Sequence, residues 1–115
     1  MEDRNEYSHA SDGDGWTEEL ATDTYIDRDS TSNLQKVRII FEARCDNGVG
    51  WRVTIKTDSG GSIYDKHGTN TSYAEFDSGW QGLSNTKKLH IYVGAYQSGL
   101  DVDTGYVRRI RIYVR

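Results

Sequence analysis

From Val37 onward the chain alternates apolar and polar residues. Val37, Ile39, Phe41, Ala43 and Cys45 fall on one side of an extended chain, with Arg38, Ile40, Glu42 and Arg44 on the other. A period of two sustained over this length marks a strand with one buried face. Asp46-Asn47-Gly48-Val49-Gly50 turns the chain, and Trp51, Val53 and Ile55 then alternate with Arg52, Thr54 and Lys56. Two such runs joined by a short Gly-containing loop predict a β-hairpin. A short strand follows over Ser62 to Asp65, then a turn at His67 to Asn70 and a strand from Thr71 to Phe76. Asp77 to Gly82 reads as a loop carrying Trp80. Leu89, Ile91, Val93 and Ala95 alternate with His90, Tyr92 and Tyr96. After a polar loop from Gln97 to Gly105, Ile110, Ile112 and Val114 point inward, with Arg109, Arg111, Tyr113 and Arg115 outward.

The N-terminal third is harder to read. Residues 1–10 are polar, acidic and without periodicity, which predicts a flexible arm ahead of a folded domain over residues 11–115. Ser11 to Gly15 is a loop signal. Trp16 to Ile26 carries two readings: Thr22, Thr24, Tyr25 and Ile26 favour a strand, whereas Thr17 to Ala21 suits one helical turn. Asp27 to Asn33 is a polar loop. The pattern yields six to eight short strands, turn signals between them and no long helix. The predicted class is all-β: one antiparallel sandwich, jelly-roll-like, with a closed barrel as the alternative.

Composition adjusts this picture. Hydrophobic residues are only 35% of the 115, yet Trp and Tyr together number eleven, too many for a disordered chain. The core is therefore thin and aromatic-rich. Proline is absent where average usage of about 5% predicts roughly six, so the turns rest on Gly, Asp, Asn, Ser and Thr. One cysteine excludes an intrachain disulfide. No apolar run reaches the roughly 20 residues of a membrane span, and no basic-then-apolar leader follows Met1. Charge is uneven. Residues 1–35 hold ten acids against Arg4 and Arg28, and the remainder is net basic within a total of −4.

Catalytic constellations are weak. Cys45 lies on an apolar strand face, the usual place of a small core residue. His9, His67 and His90 are scattered. Glu42 and Glu75 are the glutamates inside predicted strands, and both alternate outward. Zinc spacing is missing. Calcium is a candidate structural cofactor, because Asp12-Gly13-Asp14, Asp27-Arg28-Asp29 and Asp101-Val102-Asp103 repeat an Asp-x-Asp start. Asp101 and Asp103 are the first choice for ligands, since two good strands position their loop. The same spelling is also turn chemistry.

Arg38, Arg44, Arg52, Lys56, Arg109, Arg111 and Arg115 all alternate away from the core. On a single sheet they would form an arginine ladder. Such a ladder discourages edge aggregation, pairs with the acidic segment of the same or a neighbouring copy, or meets an anion. A net charge of −4 argues against nucleic acid as a partner.

The aromatics carry more functional information. Trp51 fits a core face. Trp16 and Trp80 follow Gly-rich corners, and Tyr64, Tyr92, Tyr96 and Tyr106 sit outward or near loops. A ring offers an apolar plane to a sugar face while neighbouring polar groups bond its hydroxyls. The expected function is a non-catalytic, lectin-like module for a glycan ligand. Trp80 would be its platform, with Asp77, Gln81, Asn70 and Tyr96 as polar contacts. The alternative is an assembly protein that self-associates by docking its acidic segment on a neighbour's arginines. Asn70-Thr71-Ser72 is also a glycosylation sequon.

Overall fold

The computed structural model describes residues 2–25, 35–83, 86 and 88–115. Eight strands follow in order: β1 Glu2–Ala10, β2 Gly15–Tyr25, β3 Lys36–Cys45, β4 Trp51–Lys56, β5 Ser62–Gly68, β6 Ala74–Gly82, β7 Lys88–Gln97 and β8 Thr104–Val114. They form two four-stranded sheets, ordered β1-β8-β3-β6 and β2-β7-β4-β5. Every pairing is antiparallel. This is the strand order of a jelly roll, an open sandwich and not a closed barrel. Among the described residues no helix is long and apolar enough to cross a membrane.

The alternating runs supply the core. Val37, Ile39, Phe41, Ala43 and Cys45 of β3 face Trp51, Val53 and Ile55 of β4 and Leu89, Ile91 and Val93 of β7, all buried. Phe41, Trp51 and Phe76 form an aromatic knot, with ring centroids 4.8 to 6.4 Å apart. These rings fill volume that a sequence poor in aliphatic residues leaves open.

Four readings from the sequence are corrected. First, residues 2–10 are not a free arm. They form edge strand β1, paired with β8 from Glu2↔Arg111 to Ala10↔Thr104. The ladder is backbone, so hydropathy does not report it. The inward side chains are polar: Tyr7 donates to Asp3 at 2.6 Å, and buried His9 meets Glu19 and Thr17 of β2, each at 2.9 Å. His9 thereby ties the two sheets together at their open edge. Second, Trp16 to Tyr25 is strand throughout, because β7 pairs along its whole length. Third, β3 and β4 are not a hairpin. They belong to different sheets, and residues 46–50 carry the chain across the sandwich. Fourth, residues 77–82 continue β6, with a bulge at Ser78 and Gly79 (φ +65°). Asp27 and Arg28 to Asn33 lie outside the described residues.

A second bulge resolves a conflict in the sequence. Val107 and Ile110 are both buried, yet strict alternation would put them on opposite faces. Against β3, Arg109 is the extra residue of β8, and on the other side β1 carries an extra residue of its own between Asp3 and Glu6. Its φ of +51° is left-handed, unusual for a residue with a side chain. Such strain costs about 1 kcal/mol. Arg109→Gly is therefore expected to leave the urea midpoint unchanged or raise it, whereas Arg111→Gly in regular strand should lower stability by about 1 kcal/mol. Equal losses for both would show that the bulge is unstrained.

Candidate functional site

The predicted basic ladder is divided between two surfaces. Arg38, Arg44, Arg109 and Arg111 lie in the first sheet, Arg52 and Lys56 in the second. On the first sheet the arginines meet acids of neighbouring strands, with Arg111 of β8 reaching across β3 to β6. Arg38 holds Asp77 through three hydrogen bonds, two of them from Nε at 2.9 and 3.0 Å. Arg108 holds Glu42 at 2.7 Å, Arg109 reaches Glu42 at 3.4 Å and Glu2 at 3.7 Å, and Arg111 meets Glu75. Glu42 is held below the usual carboxylate range, first by its bond from Arg108. Glu42 and Glu75, the two glutamates of the predicted strands, are both ion-pair partners of these arginines. The acidic segment also finds partners in its own chain: Glu2 on Arg109, Glu18 on Lys56 at 2.9 Å, and Asp23 on Lys88 at 3.4 Å.

The five residues expected to hold a ligand are not brought together. Trp80 and Asp77 face outward from β6, where they pair with Arg38 and Ile40. The Trp80 ring already carries the Arg115 guanidinium 4.2 Å from its centroid. Asp77 is occupied by Arg38 and by the Gly79 N–H, which together hold its pKa down at about 2. Gln81 lies on the same strand, and its Nε2 donates to Ser78 O at 2.6 Å. Asn70 is an internal staple. It accepts from Trp51 Nε1 at 2.8 Å and donates to Ala43 O at 2.8 Å and Ser72 O at 3.0 Å. With its amide nitrogen so used, the folded sequon offers no free acceptor for a glycan. Tyr96 lies on the other sheet.

The loop chosen for calcium has a different chemistry. Asp101 is exposed, and its main chain forms a bridge with Ser98. Asp103 is only 2% exposed. Its Oδ1 accepts the N–H groups of Asp46, Asn47 and Thr104 at 2.8 to 2.9 Å, and its Oδ2 those of Val49 and Gly50 at 2.8 and 3.0 Å. Burial pushes its pKa up, but the bonds from Gly50, Asn47, Thr104 and Val49 outweigh that and keep it below the ordinary value. The carboxylate thus serves as an anion bound by the 46–50 crossover, with its lone pairs engaged. Among the described residues no three His, Cys, Asp or Glu side chains cluster as metal ligands do. Cys45 is buried beside this crossover. Burial first, and then Asp103, push its thiol up to about 11, far from a nucleophile's range.

The outer face of the second sheet differs. Trp16 pairs across from Tyr96 near the start of β2 and the end of β7. The indole lies 5.1 Å from the Tyr96 ring and 5.5 Å from His67 of β5, with Arg52 5.9 Å away. Gly50 makes this possible, since a Cβ there would stand 3.0 Å from both Trp16 and Tyr96. The result is an aromatic strip laid across the end of the sheet. Beside it, Arg52 donates to Asp65 at 2.9 Å and Lys56 to Glu18 at 2.9 Å, while Lys56 also caps the Tyr92 ring at 4.3 Å. The sequence marked Trp16 and Tyr96 as ring-bearing positions. It could not show that they meet, because they lie 80 positions apart and join only through β2–β7 pairing.

No protein-family profile matches this chain, and no curated protein matches it. Among solved structures it is similar to the CBM36-1 domain of a multidomain xylanase from the hindgut metagenome of Trinervitermes trinervoides. The match has a TM-score of 0.54 and 14% sequence identity, and it covers 89% of this chain and 75% of that chain. At this identity the likeness is one of fold, a sandwich of two antiparallel sheets.

Proposed function

We propose that this chain is a non-catalytic carbohydrate-binding module whose ligand rests on the outer face of the second sheet. The observation that carries this reading is the strip of Trp16, Tyr96 and His67. It presents apolar ring surface beside ion-paired donors and acceptors, the mixture that a sugar ring and its hydroxyls require. The fold likeness to a domain of a xylanase supports the same reading. Trp16 is a better platform than Trp80, whose ring already carries Arg115. Assembly through the acidic segment has less support, because its described ion pairs close within the chain. The binding proposed here uses no calcium at Asp103, whose oxygens are already engaged by N–H donors.

The test is calorimetric titration with soluble xylan and with a neutral β-glucan, in calcium and again in chelator. Binding of at least one polymer is expected, equal in both buffers. Trp16→Ala should weaken it at least tenfold, about 1.4 kcal/mol, the scale of a central aromatic anchor. Trp80→Ala should bind as wild type. The converse pair of results would move the site to the first sheet. Loss in chelator would restore the calcium reading.

A further inference from the structure

We infer that the ligand is an uncharged polysaccharide chain lying lengthwise along β2 and β7, held at internal sugars and not at a chain end. This rests on the carbohydrate-binding reading above and adds the ligand's charge, shape and direction.

The first observation is where apolar surface is exposed. Trp16, Leu20 and Tyr25 are 38%, 47% and 79% exposed, and all belong to β2. Register places them opposite Tyr96, Tyr92 and Lys88, on the side away from the core. From Tyr96 to Lys88 is eight residues of strand, about 27 Å at roughly 3.4 Å per residue. That is several sugar rings long, far more than one terminal sugar needs. Exposed apolar residues on an edge strand invite aggregation, so a row of them needs a use. Between the two tyrosine rows β7 carries Gly94, and the side chain on that row is Glu18 of β2, whose carboxylate reaches Lys56 and would meet a ligand as a hydrogen-bonding group.

The second observation is that the other half of the face is closed. Thr54 of β4 points outward by register, opposite Tyr92, yet it is only 3% exposed. The Arg52–Asp65 pair and Lys56, which is tied to Glu18 and Tyr92, flank it on its own and neighbouring strands. Beyond the Trp16–Tyr96–His67 row, a ligand is therefore confined to the β2 and β7 side and must run along the strands.

The third observation is charge. Arg52, Lys56 and Lys88 each meet a carboxylate of the same sheet: Asp65, Glu18 and Asp23. His90 lies between Asp23 and Asp58, with nitrogen to oxygen distances of 2.7 and 3.1 Å. An acidic glycan would have to displace these acids to reach a cation. Neutral hydroxyls, which both donate and accept, can add to the paired groups without breaking them.

The experiment is titration of the whole chain with xylo- and cello-oligosaccharides of two to six units and with polygalacturonate, accompanied by sedimentation of the protein alone. Affinity should rise at least tenfold from the disaccharide to the hexasaccharide in the series that binds. Leu20→Ala and Tyr25→Ala should each weaken the hexasaccharide several-fold, and by more than they weaken the disaccharide. Trp16-dependent binding that does not grow with length would overturn the lengthwise path and leave the sugar reading standing. Tighter binding of polygalacturonate would overturn the uncharged ligand. A chain that sediments as a dimer in wild type and as a monomer in Leu20→Asp would make the strip a contact between copies and overturn the inference. No binding to any glycan would defeat the reading beneath it.

Discussion

Asp103→Asn is expected to destabilise the fold by about 3–5 kcal/mol, read as a fall in the urea midpoint. The native carboxylate accepts five backbone N–H groups, four of them from the 46–50 crossover. Asparagine has one oxygen, so its NH₂ group must face either the pair from Val49 and Gly50 or the trio on the other side. Donors would then face donors at a site that water does not reach. The charge that strengthens the remaining bonds is also lost. This crossover joins β3 of one sheet to β4 of the other, so loosening it loosens the sandwich.

The pH dependence has a definite sign. The folded pKa of Asp103 lies below its ordinary value, because the N–H bonds outweigh the opposing effect of burial. Its contribution is therefore complete above the ordinary aspartate range and is lost as pH falls through the folded pKa. The stability gap between wild type and Asp103→Asn should be widest near neutrality and close on acidification. A gap below about 1 kcal/mol at neutral pH, or one that widens in acid, would falsify this account of the crossover.

Gly105→Ala is the other large effect. A Cβ at Gly105 would stand 2.1 Å from the Gly94 carbonyl oxygen, 3.1 Å from its carbon and 3.3 Å from Trp51 Cβ. Gly105 belongs to β8, flanked by β1 and β3, and Gly94 to β7, flanked by β2 and β4. Both are central strands, and the clash is with backbone, so neither side can yield by turning a side chain. The two sheets must part at this end. Overpacking of a core costs about 1–3 kcal/mol, and we expect Gly105→Ala at or above the upper figure. Gly82→Ala on edge strand β6 is the control, because a Cβ there meets nothing within 4 Å. It should stay within about 0.5 kcal/mol of wild type. Equal midpoints for the two variants would mean that the sheets can separate at little cost.

Much of the fold was legible because alternation is a local signal. Val37 to Cys45, Trp51 to Ile55 and Leu89 to Ala95 each face the core as their pattern demands. The same signal fails where a strand is held by its ladder. Glu2 to Ala10 has no apolar period, since its inward residues are Asp3, Tyr7 and His9: Tyr7 packs against the core, and all three are held by hydrogen bonds. It fails again at Arg109, where one extra residue resets the faces.

The site was less legible, for a related reason. Trp80 and Trp16 follow similar Gly-rich corners in the sequence. One has its ring taken by Arg115, and the other lies beside Tyr96 with Gly50 beneath it. Asp103 and Asn70 read as ligand groups because a sequence lists polar atoms without their partners. Those partners are the N–H groups of residues 46–50 and the indole of Trp51.

By itself, then, the sequence determined the all-β class, the inward face of most strands and the aromatic character of the core. Each follows from the order of neighbouring residues along one extended chain. The tertiary structure alone decided which strands share a sheet, and so which arginine meets which acid, which polar groups are already spent and which rings remain in the open. Those outcomes depend on pairings such as β1 with β8 and β2 with β7, between segments distant in the chain. A period of two says which side of its own strand a residue occupies, and nothing of what lies across from it.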